Sequence, residues 1–389
     1  MRRAKYPSKI VLAACCALAF VTEGASQAPI KSDIELHFGG LGTDGANAIV
    51  ALSDGGFALG GWKTRDGNTE LTEGWVLRVD ARGGYVWDIP LPNSAPYGIT
   101  ALSPAFDSGL LVIDGENVNS KGTTRLSKLS PEGSIEWQRT YGNTEGDALA
   151  SIRPTFDGGF IIAGKTYYRT AGDSDGWVLK LDRNQDIEWF RVLGDQHEDS
   201  LEGISLSTDG GFVAVGWTTQ PGDIVLGWAL KLDSTGATEW NVNHNLGPYT
   251  EFHGILPAHD GSFVYSASKE GDLGTRRSIV IGGLTRDGAL TWQQGINADG
   301  NATVTGIAHA ATGSFIISAY IEDAEGQAGL AAGFGDSGSL EFIHRYSGAG
   351  DQRALAITAK TPNGYAIAGS SQRIRTLDQD MWLLIRQKQ

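Results

Sequence analysis

Three observations predict an all-β fold, a seven-bladed β-propeller with four antiparallel strands per blade. A unit of about fifty residues recurs seven times, its turns are rich in glycine, and no segment sustains a helical period of apolar residues. The composition agrees. Among 389 residues there are 54 glycines and 11 tryptophans, against 12 prolines and 2 methionines, which suits many short strands joined by tight turns and packed on large rings. An apolar content of 41% with 20% charged residues excludes a disordered or collagen-like chain.

Two landmarks carry the repeat. An aromatic or large aliphatic residue follows a turn at Phe57, Leu110, Phe160, Phe212, Phe263, Phe315 and Tyr365, in steps of 53, 50, 52, 51, 52 and 50 residues. A second series, Leu36, Trp87, Trp137, Trp189, Trp240, Trp292 and Phe342, advances by 51, 50, 52, 51, 52 and 50. The fullest unit spans Asp147 to Gly194. Its first two strands flank Asp157-Gly158-Gly159, where glycine accepts positive φ at little steric cost. The third reads Gly176-Trp177-Val178-Leu179-Lys180-Leu181, and the fourth Ile187-Glu188-Trp189-Phe190-Arg191. Their alternation places tryptophans and aliphatics on faces that pack between neighbouring sheets.

The two ends of the repeat complete each other. Residues 34–40 match a fourth strand with no first three before it, whereas the last unit stops after its third strand, at Met381 to Ile385. The N-terminal strand is therefore expected to close the seventh blade as a clasp, making residues 27–389 a single domain despite their length.

Residues 1–26 read as a secretory signal peptide. Arg2, Arg3, Lys5 and Lys9 precede an apolar run from Ile10 to Val21, and Gly24-Ala25-Ser26 offers a cleavage point. Periplasmic or extracellular localisation is expected, with no transmembrane segment, because the run is too short to anchor and no later stretch is longer. Cleavage would take the formal net charge from -14 to -17 and remove both cysteines, Cys15 and Cys16, so no disulfide is expected. Leu12-Ala13-Ala14-Cys15 has the form of a lipobox, but the apolar run continues past it, so an outer-membrane lipoprotein is the less favoured reading. The acidic balance argues against nucleic acid. A monomer is expected.

With D-x-A-x-S-I, DGG-aromatic, G-W-V-L-K-L-D and I-x-W in hand, the chain resembles a group of exported bacterial β-propeller proteins built from such repeats, mostly of unassigned role. The similarity covers the whole chain after residue 26. Units five and six depart, with Val280 and Leu330 at the position of the third-strand tryptophan. The resemblance implies export and a propeller, not an activity.

Connections between strands two and three, and between strand four and the next blade, read as long and fall on one face. Trp62, Lys165, Tyr167, Tyr168, Arg169, Trp217, Arg276, Arg277 and Tyr320 collect there as candidate ligand-binding residues. Rings and cations interleaved in this way suit stacking on sugars and pairing with anions. Near the start of strand one, seven aligned positions read Asn47, Tyr97, Ala150, Glu202, His253, Thr305 and Leu355. Within that ring His253, Glu202 and Tyr97 are the candidate catalytic groups: a base, its carboxylate partner and an acid.

No metal is assigned. His197, Glu198, Asp199, His244 and His253 match no recurrent ligand spacing, and Asp173-Ser174-Asp175-Gly176, which opens like a calcium loop, lacks the later ligands, leaving calcium as an open option. Asp44, Asp147, Asp199 and Asp351 are expected to bond backbone amides in the turns between blades. The leading functional expectation is a binding protein whose long-loop face engages a glycan, a cell-surface component or a protein partner. The alternative is a polysaccharide lyase or hydrolase on the same scaffold.

Overall fold

The period-two alternation becomes strand: among the described residues there are 28 strands and no helix. A computed structural model describes residues 33–387, apart from 66–67, 93, 119–120, 143–146, 168–172, 271–275, 297, 311–312, 349, 361–363 and 373–377. The strands form seven four-stranded antiparallel sheets, each following chain order except the last. The first strands, Gly45–Ala51, Ser94–Pro104, Ala148–Pro154, Asp199–Leu206, Thr250–Pro257, Asn301–His309 and Gln352–Lys360, touch one another in sequence around a closed ring. They line the central channel, and the fourth strands lie outermost.

The last sheet holds the clasp. Ile34–Phe38 pairs with Gln379–Gln387 from Ile34 opposite Ile385 to Phe38 opposite Met381. Buried Phe38 joins Leu59, Trp75 and Leu77 of the first blade with Met381, Leu383 and Ile385 of the last. Glu35 accepts the indole N–H of Trp382 at 2.8 Å.

The repeat motifs explain how blades join. In the turns between strands three and four, Gly133, Gly236, Gly288 and Gly338 have φ of 81° to 84°. A Cβ there would lie within 2.8 Å of the ring of Trp87, Trp189, Trp240 or Trp292 in the preceding blade. These tryptophans are therefore seated on glycine, and Leu36 of the clasp is seated likewise on Gly83 of the first blade. A second device recurs in blades two, three and four. The nearly buried ammonium of Lys180 lies 2.8 Å from Asp157 of the first turn and 2.9 Å from Glu188 of the fourth strand. Lys128 does the same with Asp107 and Glu136 at 2.9 and 3.1 Å, and Lys231 with Asp209, at 2.6 Å, and Glu239. Buried cations paired on both sides in this way satisfy a charge that would otherwise be costly to bury.

The loop-length expectation is corrected. Five-residue turns such as 52–56, 155–159 and 207–211 recur on one face. On the other face the second-to-third connections range from 66–67, 119–120 and 324–325 up to 167–174. The extra length is taken up largely by strand extension, as in Phe57–Arg65 and Phe212–Gln220. That face is variable rather than uniformly long.

Candidate functional site

The seven inner strands share one irregularity, a β-bulge that inserts one residue into the pairing with strand two. The extra residues are Asn47, Thr100, Ala150, Glu202, His253, Thr305 and Leu355. The expected ring is thus real except in the second blade, where Thr100 takes the place assigned to Tyr97, whose side chain lies outside the described residues. The cause lies across the ladder. In four blades the strand-two residue beside the bulge is a glycine on which a Cβ would come within 2.0 Å of the inner strand's carbonyl, Gly61, Gly164, Gly216 and Gly369, and in blades five and six it is the small Ala267 and Ala319. In the second blade that position is Asp114, so the inner strand cannot close up, and pairing is interrupted between Ser94 and Ile99. Arg125 replaces the third-strand tryptophan there and binds both the Asp114 carboxylate and the Pro92 carbonyl. The detour explains the 53-residue step.

Bulge residues also tie blades together. Asn47, Thr100 and Thr305 donate to the carbonyls of Ile99, Leu149 and Ala354, each the residue just before the bulge of the next blade, at 3.0, 3.3 and 2.8 Å. A bulge re-aims its side chain, and these three are aimed at the neighbouring inner strand.

His253 is placed differently. Its Nε2 lies 3.1 Å from the buried hydroxyl of Ser268 and 4.0 Å from Glu251 Oε2. Burial, helped by the positive charge of Arg277, pushes its pKa down to about 4. Nε2 of the neutral ring can then accept the Ser268 proton, while Ser268 Oγ accepts the Val304 amide of the next blade at 3.1 Å. The carboxylate within ion-pair distance of His253 is that of Glu251, not Glu202, which accepts from Ser200 at 2.8 Å. Glu251 accepts the Tyr249 hydroxyl at 3.0 Å and lies 3.4 Å from Arg277, whose guanidinium stacks 4.8 Å from the Tyr249 ring centre. Burial raises the Glu251 pKa against the opposing charge of Arg277. Tyr249, Glu251 and Ser268 were missed in the sequence, although Tyr249, just ahead of the inner strand, and Glu251 and His253 within it stand at alternate positions.

Four of the rim residues share one position. Trp62, Lys165, Trp217 and Tyr320 each follow the bulge-facing residue of strand two, and Ser268 is their counterpart in the fifth blade. Trp62 lies across Gly45, Lys165 sits 5.4 Å from the Tyr167 ring, and Arg353 of the last blade sits 5.5 Å from that of Tyr320. Arg276 is exposed beside Arg277. Tyr168 and Arg169 lie outside the described residues.

The possible ligand groups for a metal separate. His197 turns to Asp195 at 2.8 Å, Asp199 accepts the Asp195 amide at 2.8 Å, and His244 stacks on Phe252. Asp175 faces Asp199 across Gly194 at the start of a strand. Among the described residues no group of three or more His, Cys, Asp or Glu is arranged to hold a metal ion, and no helix is long and apolar enough to cross a membrane. The recurrent aspartates bond backbone amides, but only in part in the turns between blades: Asp44 bonds that of Gly40, in such a turn, and that of Thr64, within a second strand, both at 2.8 Å, Asp147 that of Tyr167, between strands two and three, at 3.1 Å, and Asp351 that of Gln327, within a third strand, at 2.9 Å.

Fold and channel together define a seven-bladed β-propeller. No family model and no curated protein matches the chain. Solved structures do, at low identity. The Dos1 propeller aligns with a TM-score of 0.55 at 11% identity, covering 90% of this chain and 93% of its own. Sqt1 from Chaetomium thermophilum aligns at 0.50 and 16%, covering 85% and 80%. Puromycin hydrolase aligns at 0.54 and 15%, covering 85% of this chain, which spans about half, 51%, of that one. At such identities the likeness is one of fold alone.

Proposed function

We propose that this chain is an exported binding propeller, acting in the periplasm or outside the cell, whose variable face engages a glycan, a cell-surface component or a protein partner. One observation carries the reading. A single strand-two position presents Trp62, Lys165, Trp217 and Tyr320 in blades one, three, four and six, with Tyr249, Glu251 and Arg277 beside its counterpart Ser268 in the fifth. A scaffold that repeats its core yet varies this position offers unlike groups from a rigid base, the usual arrangement of a recognition surface. The bonding of His253 to a buried serine, with its partner expected at Glu202 held elsewhere, favours recognition over acid–base chemistry.

The test is a glycan array and polysaccharide pull-down with residues 27–389, monitored for unsaturated products by ultraviolet absorbance. Captured ligand lost on Trp217→Ala or Arg277→Ala supports the reading. Product formation replaces it with a polysaccharide lyase, and capture unchanged by either variant removes the variable face as the docking surface.

A further inference from the structure

The lysine device of blades two to four is dismantled in the fifth. Its aspartate survives as Asp260, but Gly283 stands where the lysine would be and Thr291 where the glutamate would be. At that place, on the face of the five-residue turns and between the fifth and sixth blades, a cleft of about 580 Å3 opens. It lies opposite the variable face, within the roughly 300–1,000 Å3 range of small-molecule sites.

Trp292 lines the cleft with a half-buried ring. Its counterparts Trp87 and Trp240 donate their indole N–H to the carbonyls of Pro131 and Arg286 in the next blade's turn, at 2.9 and 2.8 Å. Among the described residues the Trp292 N–H, like those of Trp137 and Trp189, has no such acceptor, and it stands over Gly283, where the lysine of the sister blades would be. The carboxylates of Asp260 and Asp336, the Thr291 hydroxyl and the His259 ring share the walls. Asp260 Oδ1 is taken by the Ser262 amide at 2.9 Å, and no lysine stands against the carboxylate as in the sister blades. Two carboxylates against the single guanidinium of Arg286 give an anion no excess of positive charge. An aromatic ring beside several acceptors and an unengaged donor matches a ligand that is apolar on its C–H face and dense in uncharged hydroxyls.

We propose that this cleft binds a neutral hexopyranose chain, with one sugar against Trp292 and its hydroxyls donating to Asp260 and Asp336. The site is independent of the variable-face surface proposed above.

Titration calorimetry of the purified protein with uncharged gluco-, manno- and galacto-configured hexasaccharides, each raised to about 10 mM to reach weak affinities, tests it. The expected result is saturable heat with one of them, about tenfold weaker in Trp292→Ala, as for loss of a central aromatic contact. The same weakening is expected in Thr291→Arg, an exposed substitution that fills the cleft without touching the core. Trp217→Ala on the other face should bind like the parent. Absence of heat with every hexasaccharide overturns the proposal. So does binding lost in Trp217→Ala but retained in both cleft variants, which would place the sugar on the variable face and leave that reading standing.

Discussion

Blades three and four and blades five and six are built on one plan, and they differ in what fills the space between turns and outer strand. In blades three and four, Lys180 and Lys231 are held between two carboxylates, and Trp177 and Trp228 fill the third strand. In blades five and six glycine replaces the lysine, at Gly283 and Gly333, and Val280 and Leu330 replace the tryptophan. The seats of Trp240 and Trp292 on Gly288 and Gly338 persist in both halves. The tryptophan–glycine seats are thus shared by the two halves, as is that of Trp189 on Gly236, although in blade three Gln185, at φ 66°, takes the glycine's place. The lysine device is dispensable, and its loss leaves open surface.

The sharpest way to break this comparison is to shorten the third strand's large side chains. Trp177→Ala should cost about 3–5 kcal/mol, and Val280→Ala about half that, because Val280 removes less volume from a well-packed site. Urea midpoints at unchanged slope measure both; equal losses would show that the two halves are packed alike. Next in size is the lysine. Lys180→Met should cost about 1–2 kcal/mol by leaving two carboxylates without their shared cation. Arg286→Met in the fifth blade, an exposed change, should stay within about 0.5 kcal/mol.

A smaller effect separates the halves by acid. Burial disfavours the charge on Asp157, but the Lys180 ammonium, the Thr155 hydroxyl and the Gly159 amide outweigh it and hold the pKa at about 2, and Lys231 does the same for Asp209. A carboxylate depressed in the folded state stabilises fully above its unfolded pKa, and that stability is lost as pH falls toward 2. Asp157→Asn should therefore flatten the decline in melting temperature between about pH 4 and 2, ordinary carboxylate range to folded value. Asp260, in the fifth blade, lacks a lysine, and Asp260→Asn should flatten it less. His253 acts in the same direction over a different window. Its folded pKa of about 4 lies below that of a free imidazole, so its contribution is whole above about pH 6.5 and is lost as pH falls toward 4. His253→Gln should reduce the slope there, and an unchanged slope would mean that other histidines carry it.

The architecture was legible because the motifs serve contacts that recur from blade to blade. The step between landmarks counted the blades, and the orphan fourth strand at residues 34–40 announced the clasp. The site was legible only in part. His253, Glu202, Thr305 and Leu355 fell into register at the bulge, but Tyr97 did not, because aligning on its isoleucine two residues on overlooked the 53-residue step, which points to Thr100. Hydrogen bonding across blades is invisible to periodicity: nothing in the spacing of His253 and Ser268 shows that they meet. The cleft beside Trp292 was missed because it arises from residues that are absent, Gly283 for lysine and Thr291 for glutamate, and a repeat analysis reads such departures as drift.

The clasp also sets an order of events. Glu35 and Trp382 bond across 347 positions of chain. On a ribosome or emerging through a membrane pore, the clasp strand is made first and finds its partner last, after all six other sheets have had the chance to form. Closing so long a loop is entropically costly and slow. Until then Leu36, Phe38 and the edge of Gln379–Gln387 stand uncovered, an interval in which another chain's strand can take the vacant place. The residues that complete the ring thus also mark the window in which this protein is most open to mispairing.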